Sequence, residues 1–311
     1  MANLVIKTEQ LTKVFKETSQ GGLKKKRVVA LDDLNCEVFE GEVFAFLGPN
    51  GAGKTTTIKL LTRLIFPTRG RVWIFGKENI FRETMEKVGY LPEQPNLYGY
   101  LTGKEFLDYI AQLFGLDKQV RKRKIDELIE RVGLNDQSTR PIRSYSRGMV
   151  QRLGLAQALV NDPSLLILDE PMVSLDPIGR KDFRDLILEL KSQGKTIFFS
   201  SHILSDAEMI ADRVGILNKG KLVRVGKVND LLRSQVTSVD VTFIVDPSKL
   251  SRIDLGEKAV ILQDNRVLIR LDKDTAVSNL LKQINRWDGK VESVIPQRRS
   301  LEEYFMTEVG R

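Results

Sequence analysis

Gly48-Pro49-Asn50-Gly51-Ala52-Gly53-Lys54-Thr55 is the stretch that decides the fold of this chain. It fits G-x-x-x-x-G-K-[ST] at every fixed position. The apolar run Val43-Phe44-Ala45-Phe46-Leu47 precedes it, and helical text over 56–64 follows. Strand, glycine-rich turn and helix in that order form the setting in which such a loop cradles phosphate. Glycines let the backbone curl until consecutive N–H groups face the phosphate oxygens, and the helix N-terminus adds partial positive charge. In that reading Lys54 reaches the β- and γ-phosphates of a nucleotide, the Thr55 hydroxyl ligates Mg²⁺, and Thr56 completes the phosphate-binding set at the helix start.

A second element completes such a site. Leu165-Leu166-Ile167-Leu168-Asp169-Glu170 is an apolar strand that ends in two carboxylates, delivering charge to the sheet edge where ligands bind. Asp169 is expected in the Mg²⁺ shell. Glu170 then serves as general base or orients the attacking water. By itself a strand-terminal acid also reads as the cap of the next turn; the phosphate loop upstream tips the balance. Further apolar runs at 164–169, 196–200 and 214–217 alternate with helical text at 179–191 and 204–211. That alternation predicts an α/β fold with a parallel sheet buried on both faces.

Composition narrows the function classes. The chain has 311 residues, 41% hydrophobic and 29% charged, a globular balance with room for two domains. No apolar stretch approaches the ~18 residues of a membrane-spanning helix. Met1-Ala2-Asn3-Leu4 does not begin a basic-then-apolar leader, so no secretory signal is expected. One cysteine, Cys36, forbids an internal disulfide and fits a reducing compartment. One histidine, His202, excludes a histidine-based metal cluster. The net charge of +8 draws on Lys24-Lys25-Lys26-Arg27 and Arg121-Lys122-Arg123-Lys124. The second run leads a helix whose Ile125, Leu128, Ile129 and Val132 have i, i+3, i+4, i+7 spacing, which reads as a solvated face rather than a nucleic-acid stripe.

Along the chain, strands are expected at 4–8 and 41–47, with a polar loop at 16–26. Thr102-Gly103-Lys104-Glu105 has capping-box spacing and opens a helix carrying Phe106, Ile110 and Leu113. After Gly226 the text changes. Alternation at 239–245 and 267–271, a helix from Asp274 bearing Val277, Leu280, Leu281, Ile284 and Trp287, a strand at 291–295 and a final helix capped by Ser300 describe a small α+β domain at 239–311. Residues 1–230 form the first domain, with a mostly helical subdomain at about 95–160.

Beyond the phosphate loop and the acidic strand, more motifs follow in order. Leu91-Pro92-Glu93-Gln94, Tyr145-Ser146-Arg147-Gly148-Met149, Ser174-Leu175-Asp176 and Ser201-His202 occupy the places of the Q-loop, signature, D-loop and H-switch. Over about residues 3–228 the chain thus resembles the nucleotide-binding subunit of ABC transporters. The resemblance implies a P-loop NTPase of the ABC type, its mainly parallel sheet joined by antiparallel β and helical subdomains. It implies that Gln94 touches Mg²⁺ and the attacking water, that His202 contacts the γ-phosphate, and that Asp176 sits at a dimer seam. A lone histidine is more often structural; its place after an apolar strand reverses that here. Phe15 stands where an aromatic residue stacks on adenine, its alternative being a core position of the strand.

The signature departs from the common Leu-Ser-Gly-Gly-Gln at Tyr145, Arg147 and Met149, yet keeps Ser146 and Gly148. A serine hydroxyl and free N–H groups at a helix start are what an anion needs. A Cβ at Gly148 obstructs close approach of phosphate. Arg147 adds a charge contact or faces solvent. In this family the signature of one subunit closes over ATP on the phosphate loop of another, so a homodimer or a paralogous ATPase subunit is expected. Integral-membrane permease subunits are expected too, docked near 94–106, where Leu97, Tyr98, Tyr100 and Leu101 are apolar and aromatic; packing within the helical subdomain is the alternative. The chain is expected at the cytoplasmic face of the membrane, without nucleic acid. Tyr-Ser-x-Gly-Met resembles a variant of drug, lipid and polysaccharide exporters and leans towards export. The C-terminal domain, ending Leu301-Glu302-Glu303-Tyr304-Phe305, resembles the tail of some exporter ATPases, with dimer contacts or regulation expected of it. The competing reading is a soluble ABC-type ATPase acting on nucleic acid or ribosomes, for which basic charge is the only support.

Overall fold

A computed structural model describes residues 3–18, 25–78, 82–232, 236–246, 259–262, 266–271, 274–298 and 300–309. They form two compact units, Met1–Val228 and Asn229–Arg311.

The first unit opens with β1 (Leu4–Thr18), β2 (Lys25–Phe39) and β3 (Val43–Leu47), then α1 (Lys54–Leu61) and β4 (Arg69–Ile74). A short helix, α2 (Arg82–Met85), leads to β5 (Val88–Leu91). Three helices come next: α3 (Gly103–Leu113), α4 (Lys118–Arg131) and α5 (Arg147–Leu159). The remainder alternates: β6 (Leu165–Leu168), α6 (Pro177–Ser192), β7 (Thr196–Ser201), α7 (Leu204–Ile210), β8 (Arg213–Asn218) and β9 (Lys221–Lys227).

The apolar runs explain the main sheet. Every residue of β3, β6 and β7 is buried, as strands covered on both faces must be. The sheet order is β5-β6-β7-β3-β8-β9, with parallel pairing from β5 to β8 and an antiparallel β9 at the edge. Phe198 stacks on Phe44 at 5.7 Å and tilts against Phe46 at 5.4 Å, filling the sheet's centre. Register then positions the chemistry. Leu47 lies beside Ser201 and Leu168 beside Phe199, so Gly48, Asp169 and His202 all leave the sheet at the same C-terminal edge.

A second, antiparallel sheet runs β2-β1-β4. β1 and β2 pair as far as Thr18 and Lys25, so strand continues where a loop at 16–26 was expected; residues 19–24, with Lys24 of the basic run, lie outside the described residues. Among the helices, Thr102 caps α3 with a full capping box: its hydroxyl accepts from Glu105 N–H at 3.2 Å, and Glu105 returns an acceptor to Thr102 N–H at 2.8 Å. Phe106 of α3 is buried, but Leu113 is 62% exposed, so the apolar stripe ends a turn earlier than its spacing implies. α4 buries Ile125, Leu128 and Ile129, with Val132 at its C-cap. Of its basic run, Arg121 pairs with Asp108 at 2.8 Å.

The second unit follows α8 (Val228–Leu232), which spans the junction. It holds β10 (Val236–Ile244), β11 (Ala259–Ile261), β12 (Arg266–Leu271), α9 (Asp274–Arg286), β13 (Lys290–Arg298) and α10 (Leu301–Val309), with antiparallel sheet order β11-β12-β10-β13. Its core joins Val239, Val241, Phe243, Val245, Val267 and Ile269 to Leu280 and Ile284 of α9, with Val277, Leu281 and Trp287 packed at the margin. Ser300 accepts from Glu303 N–H at 3.2 Å at the start of α10. Among the described residues no helix is long and apolar enough to cross a membrane.

Candidate active site

The turn between β3 and α1 takes its shape from glycines with separate reasons. A Cβ at Gly48 would stand 2.5 Å from the Leu217 carbonyl oxygen. Gly53 has φ +111°, and a Cβ there would meet the Ala30 carbonyl at 2.6 Å. Ala52 is buried, and its carbonyl accepts from Gly220 N–H at 2.9 Å. Lys54 is 6% exposed and folds back over the loop, donating to the carbonyls of Gly48 at 2.7 Å and Pro49 at 3.2 Å.

From β6, Asp169 reaches the same place. It is buried and accepts from Ser200 Oγ at 2.6 Å and from Thr55 Oγ1 at 3.3 Å. Burial pushes its carboxyl above the ordinary aspartate range; the Ser200 and Thr55 hydroxyls pull it part of the way back, and the Glu170 charge opposes them. Beneath it the Tyr90 phenol is pushed up to about 12, chiefly by burial and then by the charge of Asp169.

Glu170 adopts φ +46°, a left-handed conformation that a non-glycine residue takes rarely. Its N–H donates to Ser200 Oγ at 2.9 Å. Its Oε2 accepts from His202 N–H at 3.3 Å and lies 2.9 Å from His202 Nδ1. The other oxygen, Oε1, stands 3.1 Å from Lys54 Nζ without hydrogen-bonding geometry, and is buried with no other partner.

These groups border a cavity of about 610 Å³ lined by Asn50, Gly51, Gly53, Lys54, Thr55 and Thr56 from the loop, by Glu93, Glu170, Val173 and His202, and by Val28, Val29 and Ala30 of β2. A loop of exposed backbone, a lysine, a hydroxyl and a carboxylate opening into one polar space suit a nucleoside triphosphate. The donor set also fits Mg²⁺: the Thr55 hydroxyl and Asp169 are hard oxygen ligands, and a divalent cation relieves a carboxylate that burial holds towards its neutral form.

Not every expected residue lines this cavity. Phe15 sits on β1 opposite Val28, 38% exposed with Lys13 Nζ 5.1 Å from its ring centre, so it belongs to the surface and not to the strand core. Gln94 is exposed and lines a different cavity of about 280 Å³ with Tyr145, Arg147, Gln151 and Ser174; its neighbour Glu93 is the residue that borders the phosphate loop. Ser146 and Gly148 lie at the start of α5, where Ser146 Oγ accepts from Met149 N–H at 3.3 Å. Arg147 between them is exposed. Asp176 caps α6 by accepting from Gly179 N–H at 2.7 Å, with Pro177 in the first helical turn.

Two residues escaped the sequence reading. Ser200 ties the Asp169 carboxylate to the Glu170 backbone, yet in an apolar strand it reads as filler. Glu93 was passed over for Gln94, whose amide has the more familiar place in the pattern.

Comparison with known proteins agrees with this geometry. The profile of the family described as ABC transporter matches residues 31–173. An uncharacterized ABC transporter ATP-binding protein of Nostoc sp. is 48% identical over 235 residues, 75% of this chain and 69% of that protein. A bacitracin transport ATP-binding protein of Enterococcus faecalis is 36% identical over 312 residues, spanning 98% of this chain and 96% of its own length. Among solved structures, a dimeric ATP-binding cassette in a post-hydrolysis state with ADP and Pi superposes with TM-score 0.65 at 25% identity, covering 72% of this chain and 98% of that one. An ATP-binding subunit of an ABC transporter gives TM-score 0.64 at 31% identity, over 73% of this chain and 91% of that one. With its phosphate loop, its acidic strand and these relatives, the chain belongs to the ABC transporter family, as one of its ATP-binding, ATP-hydrolysing subunits.

Proposed function

We propose that two such subunits, identical or paralogous, close over two molecules of ATP and hydrolyse them to drive a separate membrane permease. One observation carries the shared-site reading. The phosphate-loop cavity is lined by Lys54, Glu170 and His202 but not by Ser146 or Gly148. Within its own chain Gly148 also has room for a side chain, since a Cβ there would meet nothing nearer than 3.5 Å. A glycine that its own subunit does not require, beside an exposed serine at a helix start, fits a nucleotide bound by another. The dimeric cassette that held ADP and Pi supports the same arrangement.

Each side chain has a role in this reading. The phosphate oxygens compete with Glu170 for Lys54, and in taking the lysine they release the carboxylate. Glu170 then accepts a proton from the attacking water. His202, hydrogen-bonded to Glu170 through both its backbone and its ring, holds that carboxylate and faces the γ-phosphate. Mg²⁺, held by Thr55 and Asp169, supplies charge neutralisation across the phosphates when bound. Gln94 reaches the site as its loop moves towards the phosphate cavity, carrying the state of the permease with it. Asp176 meets the partner at the seam while capping α6. The base stacks on Phe15 beside the cavity wall at Val28.

The permease docks on the exposed tyrosines at 98–100, which places the chain at the cytoplasmic face of a membrane. Export is the direction favoured by the Tyr-Ser-x-Gly-Met signature, and a bacitracin transport relative matches nearly the whole chain, second unit included. Nucleic acid is not required by any of these features. Residues 239–311 form the accessory domain, placed in dimer contacts or regulation.

The test is Gly148→Asp. ATP binding by the isolated subunit should persist and ATP-dependent self-association should be lost, as read by fluorescent-nucleotide titration and sedimentation. Self-association that survives the substitution overturns the shared-site reading.

A further inference from the structure

The departures in the signature include one that the proposed function leaves unexplained. Tyr145 occupies the position where the common pattern has leucine, and in place of a branched aliphatic group it carries an aromatic ring that ends in a hydroxyl. That hydroxyl has a specific seat. It donates to the Gln137 carbonyl at 2.7 Å, in the short 3₁₀ turn Asn135–Gln137 that follows α4. It also lies against Gly103, the first residue of α3. A Cβ at Gly103 would be 2.7 Å from the Tyr145 oxygen, whereas its next neighbours, Ser138 O and Leu153 Cδ1, would be at 3.5 and 3.7 Å. Gly103 is therefore required by Tyr145 more than by any other group around it. Its φ is not positive, so its backbone admits alanine.

The segment between Gln137 and Tyr145 is fastened to the same region. Ile142 N–H donates to the Leu101 carbonyl at 2.8 Å and Arg143 N–H to the Gly99 carbonyl at 2.9 Å. Ser146 comes next. It is exposed; its hydroxyl caps Met149 N–H and its carbonyl accepts from Val150 N–H, both within its own helix. The place of Ser146 is thus set by what holds the residues before it. The last side chain in that series is Tyr145.

We infer that Tyr145 is a positioning residue, whose hydroxyl, seated on Gly103 and bonded to Gln137, holds the start of α5 so that Ser146 meets the nucleotide of a partner subunit. This rests on the shared-site reading above. Leucine at 145 can fill the space near Leu153 but cannot bridge to Gln137, so this chain fixes its signature by a polar contact that the common pattern lacks.

A substitution cycle tests it in the full-length chain with Mg-ATP. Tyr145→Phe should leave nucleotide affinity of the monomer within about twofold. It should lower ATP-dependent self-association and turnover about fivefold, the equilibrium equivalent of one neutral hydrogen bond. Gly103→Ala should lower turnover in the same way, by displacing the hydroxyl. In a Tyr145→Leu background, Gly103→Ala should cost nothing and should raise the melting temperature slightly, because alanine is the better helix former once the clash is gone. That reversal distinguishes positioning from general damage to the fold, which would lower melting temperature and affinity together in both backgrounds. Unchanged turnover in Tyr145→Phe, or an equal loss from Gly103→Ala with tyrosine and with leucine at 145, overturns the proposal. Failure of the underlying shared-site reading shows separately, as self-association that survives Gly148→Asp.

Discussion

The phosphate loop and the signature segment are both glycine-bearing helix starts, yet the chain explains them differently. At the phosphate loop each unusual residue has a reason close by. Gly48 makes way for the Leu217 carbonyl, Gly53 takes φ +111° beneath Ala30, and Lys54 has two carbonyls and a carboxylate around it. At the signature, a Cβ at Gly148 would meet only ordinary contacts at 3.5 Å, and Ser146 and Arg147 are exposed. A residue whose neighbours account for it is serving its own fold. One whose neighbours do not is open to a role towards another molecule, and on the shared-site reading proposed above that contrast divides the site between two subunits.

Glu170→Gln presses hardest on the self-sufficient side of this comparison. The amide keeps the size of the side chain and loses the base, so turnover should fall by about 10²–10⁴-fold, the range for a positioned general base. ATP binding should persist, and the ATP-bound dimer should accumulate, detectable by sedimentation. Turnover at the wild-type rate would remove Glu170 from the chemistry and leave the Lys54–Glu170–His202 constellation a structural one.

Gly148→Ala probes the other side with a smaller change. In an ordinary helix this substitution is stabilising by roughly 0.5–1 kcal/mol, and nothing within the chain opposes the added methyl. Melting temperature should therefore hold or rise while steady-state turnover drops about tenfold, because the methyl intrudes on phosphate brought by the partner. Stability and activity moving in opposite directions marks a residue that serves contact with another molecule rather than the folding of its own chain. If turnover is unaffected, phosphate does not approach Gly148.

How far the sequence carried depends on the range of the interaction that fixes each feature. The buried strands β3, β6 and β7 were legible because continuous apolar text has one meaning over four to six residues. The capping box at Thr102 is local and was legible for the same reason. The antiparallel edge strand β9 was not. Five of its seven residues are lysine, arginine, glycine or leucine in no clean alternation, and it is held by long-range contacts, the pairing with β8 and the packing of Leu222 and Val225 on the core. Ser200 was illegible as a functional residue, since its importance arises from register: β6 beside β7 brings its hydroxyl to Asp169, 31 positions away. Gln94 and Glu93 show the limit of motif transfer, because Glu93 borders both cavities while Gln94 borders only the one away from the phosphate loop, and spacing alone does not say which residue reaches the loop.

The finest distinction lies within the phosphate-loop side, between holding the fold and the proposed holding of Mg²⁺, and Asp169 is where the two can be separated. Its carboxyl is pushed above its ordinary value near 3.8, first by burial. The folded protein therefore binds that proton more tightly than the unfolded chain does. The stability it contributes is present below the unfolded pKa and is lost as pH rises through the folded one. At neutral pH the ionised side chain is a cost to the fold that a bound cation offsets. Asp169→Asn keeps an acceptor for Ser200 and Thr55 but carries no charge. Without Mg²⁺ at pH 7.5 its melting temperature should exceed that of the wild type by a few degrees, about 2–4 °C for each 1 kcal/mol relieved in a unit of this size. The difference should shrink as pH falls towards the ordinary aspartate range, where the wild-type side chain is itself neutral. Adding Mg-ATP should stabilise the wild type and do so progressively less at acid pH, as protons and metal compete for one carboxylate, while Asp169→Asn should respond weakly at every pH. A variant less stable than the wild type at pH 7.5, by an amount that pH does not alter, would mean that the hydrogen bonds of Asp169 outweigh its burial and that its charge belongs to the fold and not to the metal.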